Sequence, residues 1–210
     1  MGLNVFMDGL RRYLSEEELR RLASVRVAVA GAGGLGSNVA QMLVRTGFTR
    51  LVIADFDTVS ASNLNRQFFF PDQIGQYKVE ALRENLLRIN PDACITIYPE
   101  RVTKENAPLL FGECGIWIEA FDGAADKQMF AILGASLKKP VICASGIAGY
   151  GNTDRMATCR MGEYLYLVGD QESGVDRLPP LCPRVTLAAA MQADLALELA
   201  LSEEWNGKEK

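Results

Sequence analysis

Val25-Arg26-Val27-Ala28-Val29-Ala30-Gly31-Ala32-Gly33-Gly34-Leu35-Gly36 is the stretch on which the reading of this chain turns. Its first six residues are short, mostly apolar and rich in β-branched side chains, which predicts a strand. The glycines that follow have the G-x-G-x-x-G spacing, and a helical pattern runs from Ser37 to about Arg45. A second apolar run, Leu51 to Ala54, ends at Asp55, 19 residues after Gly36. Strand, glycine turn, helix and carboxylate, in that order, predict a nucleotide site. The glycines admit phosphate to the backbone, the helix N-terminus faces it, and Asp55 accepts ribose hydroxyls. Strand-to-helix packing without a ligand explains the glycines alone, but not all three parts in register. The motif leaves the nucleotide open, with NAD the default.

Outward from this unit, strands and helices alternate. Ser15-Glu16-Glu17-Glu18 opens a helix to about Ala23, with serine as cap and acids at the positive end of the dipole. Thr58 to Gln76 is polar and aromatic with short turns. A helix covers Lys78 to Ile89 and stops at Asn90-Pro91. Further strands are expected at Cys94–Tyr98, Gly115–Glu119 and Val141–Ala144, and helices at Asn106–Phe111 and Ala124–Leu137. Met156–Arg160 and Tyr164–Val168 read as an antiparallel pair turning at Met161-Gly162-Glu163. Gln171 to Pro183 reads as a loop, Arg184 to Leu201 as the last helix, and the charged tail from Glu203 as frayed. The expected class is α/β: a Rossmann-like, mostly parallel sheet with helices on both faces and a short antiparallel extension near the C-terminus. One domain over residues 1–210 is expected.

Composition narrows the chemistry. The 22 basic and 26 acidic side chains leave a net charge of −4 with no basic run, which predicts no nucleic-acid partner. No apolar stretch approaches a membrane span, and the first ten residues lack a secretory pattern. Five scattered cysteines fit a reducing compartment, so a cytoplasmic protein is expected. With no histidine and no Cys-x-x-Cys pair, no zinc is expected, and Ser-His or Cys-His catalysis is excluded within this chain.

After the second strand come Asp55-Phe56-Asp57, Ser62-Asn63-Leu64-Asn65-Arg66-Gln67 and Gly75-Gln76-Tyr77-Lys78. A triphosphate site needs fixed cations, and Arg66 and Lys78 are candidates. Alone, two such residues would read as solvated charges. The ordered set, with Ile89-Asn90-Pro91, resembles the ThiF/MoeB family, relatives of ubiquitin-activating enzymes, from about Arg12 to Leu201. The likeness is greatest to a short ThiF-like branch, through Ile147-Ala148-Gly149-Tyr150-Gly151, Pro183-Arg184-Val185 and Ala190-Met191-Gln192-Ala193.

The resemblance implies an ATP-dependent adenylyltransferase that activates the C-terminal carboxylate of a ubiquitin-like sulfur-carrier protein, in thiamine biosynthesis. It implies Gly31, Gly33, Gly34 and Gly36 at the nucleotide, with Asp55 on the ribose and Asp57 beside it. Asn63, Arg66 and Gln67 would line the phosphate path, Arg66 on the γ-phosphate. Lys78 would stabilise charge at the α-phosphate, and Asp122 would bind magnesium. Arg66, Lys78 and Asp122 are thus the implied catalytic set. Asp122 is also placed to cap the helix from Ala124. A carboxylate nucleophile is already ionised at neutral pH, so missing histidine is no handicap.

The chain departs from the family in three ways. Asp122-Gly123 replaces the usual Asp-Asn, the paired Cys-x-x-Cys zinc ligands are missing, and the sulfur-handling cysteine falls by spacing near Val175. Cys182 therefore reads as an ordinary loop thiol rather than a reactive one. The family pairs as homodimers, with an N-terminal arginine reaching the partner's site, here Arg11 or Arg12. The last helix, apolar nearly all round, is expected to be covered twice, by the sheet and by a second subunit or another helix. A Rossmann oxidoreductase and a non-catalytic nucleotide-binding subunit are the alternatives. The first lacks a catalytic histidine or Tyr-x-x-x-Lys pair, and the second would have lost Arg66, Lys78 or Asp122.

Overall fold

The computed structural model describes residues 4–202, so the expected frayed tail from Glu203 lies outside the described residues. In chain order the elements are α1 (Val5–Leu10), α2 (Glu16–Ser24), β1 (Arg26–Ala30), α3 (Gly34–Arg45), β2 (Arg50–Ala54), α4 (Lys78–Ile89) and β3 (Cys94–Tyr98). There follow α5 (Ala107–Phe111), β4 (Ile116–Glu119), α6 (Ala124–Ser136), β5 (Val141–Ala144), β6 (Ala157–Arg160), β7 (Leu165–Gly169) and α7 (Cys182–Leu201).

The seven strands run in the order β3-β2-β1-β4-β5-β7-β6, all pairs parallel except β6 on β7. The α/β class, the helices on both faces and the antiparallel extension are as the sequence predicts. Strand order reverses around β1, which pairs with β2 on one side and β4 on the other. That reversal opens a crevice at the strands' carboxyl ends, the usual ligand position in such sheets.

Alternation along β1 sorts the core into two layers. Val27 and Val29 face a layer built with α3, α4 and α7, where Val39, Leu43, Leu82, Leu86, Val185 and Ala189 are buried. Ala28 and Ala30 face the other, where Phe111, Trp117 and Phe130 pack together. Small residues on that face leave room for three rings, with Trp117 stacked on Phe130 at 4.8 Å between centroids.

Three readings are corrected. The glycine-loop helix begins at Gly34 rather than Ser37. The last helix begins at Cys182 rather than Arg184, because Pro183 is tolerated in a first turn that needs no N–H from it. Cys182 is thus an exposed first helical residue, not a loop thiol. Helix α6 takes Gly123 as its cap without a side-chain bond, so Asp122 stands one residue before the cap and does not fill it. The short helix α1, capped by Asn4 onto the Met7 N–H, was not foreseen. As for α7, helices α3 and α2 of the same chain pack on it.

Candidate active site

The glycine loop divides by physical role. Gly31 is left-handed at φ +106°, and a side chain there would overlap the carbonyl of Ala120 at the end of β4. A side chain at Gly36 would overlap the carbonyl of Gly31. These two serve strand-to-helix packing. Gly33 does not, since a Cβ there would meet nothing closer than Gln67 Nε2 at 3.8 Å. The space beside Gly33 is open at the N-terminus of α3, where unpaired N–H groups attract anions.

Gln67 is 8% exposed, and its Oε1 is buried without a partner among the described residues. A buried orphan acceptor carries a desolvation cost that calls for an explanation. Its backbone is fixed from both sides. Asn63 O accepts from Gln67 N at 2.9 Å, and Ser37 Oγ accepts from Phe68 N at 3.0 Å. Asn38 Nδ2 donates to Gly34 O at 2.7 Å and to Arg66 O at 2.8 Å, tying the two segments together. The Arg66 side chain crosses the start of α3, its Cγ 3.5 Å from where a Gly34 Cβ would stand. Its Nη1 donates to Ser62 O and Asn65 Oδ1, and no carboxylate neutralises it among the described residues. Asn63 spends its Oδ1 on the Ser60 N–H at 3.0 Å.

Lys78 reaches the same region by another route. Val59 N donates to Gln76 O, Thr58 bridges Tyr77, and Lys78 N donates to Asp57 O at 2.9 Å, so the loop closes at its base. Gln73 and Asn85 exchange side-chain hydrogen bonds at 3.0 Å and pin the loop to α4. Lys78 is buried, and its Nζ donates to Asp57 Oδ2 at 2.7 Å, which compensates its charge. Asp55 Oδ2 accepts the Ala32 N–H at 2.7 Å and Oδ1 the Asp57 N–H at 2.8 Å. Burial pushes its carboxyl above the usual range, against those two bonds and the nearby Lys78.

The structure therefore gathers Gly31, Gly33, Gly34, Gly36, Asp55, Asp57, Asn63, Arg66, Gln67 and Lys78 around one end of the sheet. Asp122 is less tightly drawn in. It follows Ala120, which abuts Gly31, but it is exposed and bonded to none of the others. Among the described residues no cluster of three or more acids, cysteines or histidines would hold a metal. One carboxylate still fits magnesium that arrives with phosphates, since that ion keeps most of its ligands as water and phosphate oxygen.

The ThiF family model matches residues 8–208. The chain belongs to the ThiF family. Ubiquitin-like modifier-activating enzyme 5 of Caenorhabditis elegans is 43% identical over 94 residues, 45% of this chain and 22% of that protein. The Arabidopsis thaliana protein of the same name is 40% identical over 94 residues, again 22% of its length. The match thus spans under a quarter of these relatives. Escherichia coli TcdA, a tRNA N6-threonylcarbamoyladenosine dehydratase solved with AMP, superposes with a TM-score of 0.83 at 22% identity, covering 92% of this chain and 93% of that one. E. coli MccB solved with ATP gives 0.68 at 20% identity, covering 87% and 58%. At such identities these likenesses carry the fold.

Several residues of this ThiF-family site escaped the sequence reading. Glu119, fully buried at the end of β4, accepts from Lys127 Nζ at 3.0 and 3.1 Å and from Phe121 N at 2.7 Å. Burial pushes its carboxyl up, and Lys127 opposes this. The pair sets the turn that carries Asp122. A lone acid closing the apolar strand Ile116-Trp117-Ile118 was the available signal. Arg184 joins Asp170 and Gly151 O in a buried clamp, and its Nε has no partner among the described residues. Burial pushes the Cys143 thiol up to about 12, so it is no nucleophile at neutral pH.

Proposed function

We propose that this chain is an ATP-dependent adenylyltransferase, one domain over residues 1–210, that activates the C-terminal carboxylate of a ubiquitin-like sulfur-carrier protein for thiamine biosynthesis. The observation that carries this reading is the open space at Gly33. Gln67 Nε2, a donor, lies 3.8 Å from where a Gly33 Cβ would stand. Arg66, with no carboxylate partner among the described residues, lies across the start of α3, and Lys78, the first residue of α4, pairs with Asp57. The carrier's carboxylate oxygen attacks the α-phosphorus, the bond to pyrophosphate breaks, and an acyl-adenylate forms. Positioning and charge neutralisation supply the rate. Asp55 takes the ribose, Arg66 the γ-phosphate and Lys78 the charge at the α-phosphate. Asp122 would hold magnesium, which would supply positive charge to screen the phosphates.

The proposal includes a cytoplasmic homodimer with an arginine acting in trans. Arg11 is engaged by Asp8 and by Glu16 Oε1, the latter at 2.7 Å from its Nε. Arg12 has no acid partner among the described residues, which favours Arg12 for the partner's site. The likeness to TcdA raises a tRNA-linked role as second reading, but the charge of −4 and the lack of a basic run disfavour it.

The test is ATP–pyrophosphate exchange with a ThiS-like carrier protein, followed by mass spectrometry of the carrier. Exchange that depends on the carrier, with an adenylate on its C-terminus, is the expected result. Nucleotide binding without exchange would replace this reading with the non-catalytic subunit.

A further inference from the structure

Helices α4 and α6 both have an outer side, and the two sides differ in kind. The exposed positions of α4 are Glu80, Arg83, Glu84 and Arg88, all charged. Those of α6 are Ala124, Ala125, Gln128, Ile132 and Ser136, none of them charged. The two charged residues of α6 are engaged within the chain. Lys127 Nζ donates to the buried Glu119, and Asp126 Oδ2 accepts from Arg101 Nη2 at 2.9 Å. From Gln128 to Leu137 the sequence carries no charge, and Ile132 in the middle is 62% exposed. Leu109 on α5, the helix whose Phe111 packs on Phe130 of α6, is 85% exposed. A helix apolar toward the core and uncharged on its outer side is expected to be covered on both.

The charges at its two ends indicate what covers it. Asp126 precedes Ile132 by six residues and Lys138 follows it by six. The Asp126 side chain remains 34% exposed beside Arg101. Lys138 is exposed just beyond the end of α6 and has no acid partner among the described residues. A second α6 laid antiparallel across Ile132 sets Asp126 opposite Lys138 at both ends and Gln128 opposite Ser136. The uncharged middles then meet, the helix dipoles oppose, and a shallow crossing keeps the ends within side-chain reach. The surface is therefore complementary to itself reversed, as an isologous contact requires. We infer that α6 pairs antiparallel with α6 of a second copy of this chain, about a two-fold axis at Ile132. Arg12 takes no part in this contact, so it stands or falls separately from the assembly proposed above.

Disulfide mapping tests both the partner and the direction. In a Cys94→Ser/Cys182→Ser background, which removes the exposed native thiols, Ile132→Cys should oxidise to a covalent dimer. Gln128→Cys alone and Ser136→Cys alone should each give at least about tenfold less, since each residue stands about 12 Å along the axis from its own copy. An equimolar mixture of those two variants should cross-link. Sedimentation of the full chain gives an independent reading. Ile132→Asp changes an exposed position that the fold tolerates, and it should halve the mass at assay concentration. Lys138→Glu should weaken association about threefold, the scale of exposed ion pairs, and Lys138→Arg should retain it. No cross-link from Ile132→Cys, equal cross-linking at all three positions, or an unchanged mass for Ile132→Asp overturns the pairing. Recovery of exchange on mixing Arg12→Ala with Lys78→Ala reports on the other assembly in either case.

Discussion

A side chain on Gly33 would point toward the Gln67 amide, with 3.8 Å between its Cβ and Gln67 Nε2, whereas one on Gly36 would collide with the backbone of Gly31. The two glycines therefore fail differently. Gly33→Val should keep the fold and lose ATP, while Gly36→Ala should lose stability by about 2 kcal/mol or more through overpacking. Calorimetry with ATP and thermal melting separate them. ATP binding by Gly33→Val at wild-type strength would remove phosphate from this loop.

Arg66→Ala and Lys78→Ala should each lower ATP–pyrophosphate exchange about 100-fold, the usual loss for one group aimed at developing charge. Lys78→Ala also strands Asp57, but Asp57 is 48% exposed and water can solvate it, so the melting temperature should fall little. Near wild-type exchange in both variants would end the assignment.

Asp170 gives a pH signature. Burial alone would raise its carboxyl. Bonds from the Ser173 hydroxyl and N–H, the Glu172 N–H and the Arg184 charge outweigh burial and hold it at about 2. The folded value lies below the unfolded one, so its stabilisation is complete above about pH 4 and is lost as pH falls toward 2. Urea midpoints measured from pH 5 to 2 should fall across that window, and Asp170→Asn should flatten the fall. An unchanged slope in that variant would place the acid sensitivity elsewhere.

If Arg12 works in trans, mixing Arg12→Ala with Lys78→Ala should recover part of the exchange activity, because some heterodimers contain one intact site. Arg11→Ala mixed in the same way should show little deficit to rescue, given its two partners in its own chain. A monomeric mass by light scattering at assay concentration, or no recovery, would count against the arrangement.

What could be read in advance follows from how local each signal is. The strand Val27–Ala30, the glycine turn and Asp55 lie within thirty residues and announce themselves by spacing alone. Both edges of the β6–β7 hairpin were legible for the same reason. Glu119 with Lys127 and Asp170 with Arg184 were not, because each partner is ordinary in its own segment and gains meaning only when the sheet is assembled. The start of α7 was misread because Pro183 looks like a stop, although proline suits a first helical turn. Division of labour among the glycines was equally hidden, since spacing does not say which carbonyl lies opposite.

Arg184 and Val185 are neighbours on the first turns of α7, and they touch different parts of the molecule. Arg184 grips Gly151 and Asp170 in the loops that follow β5 and β7, while Val185 stands 3.0 Å from where a Gly34 side chain would begin. A ligand that shifts either loop therefore pulls on the same turn that walls the glycine loop. Any ligand held by those loops and one held at the glycine loop would therefore be linked through this single turn, and the dissociation constant of each would depend on the presence of the other.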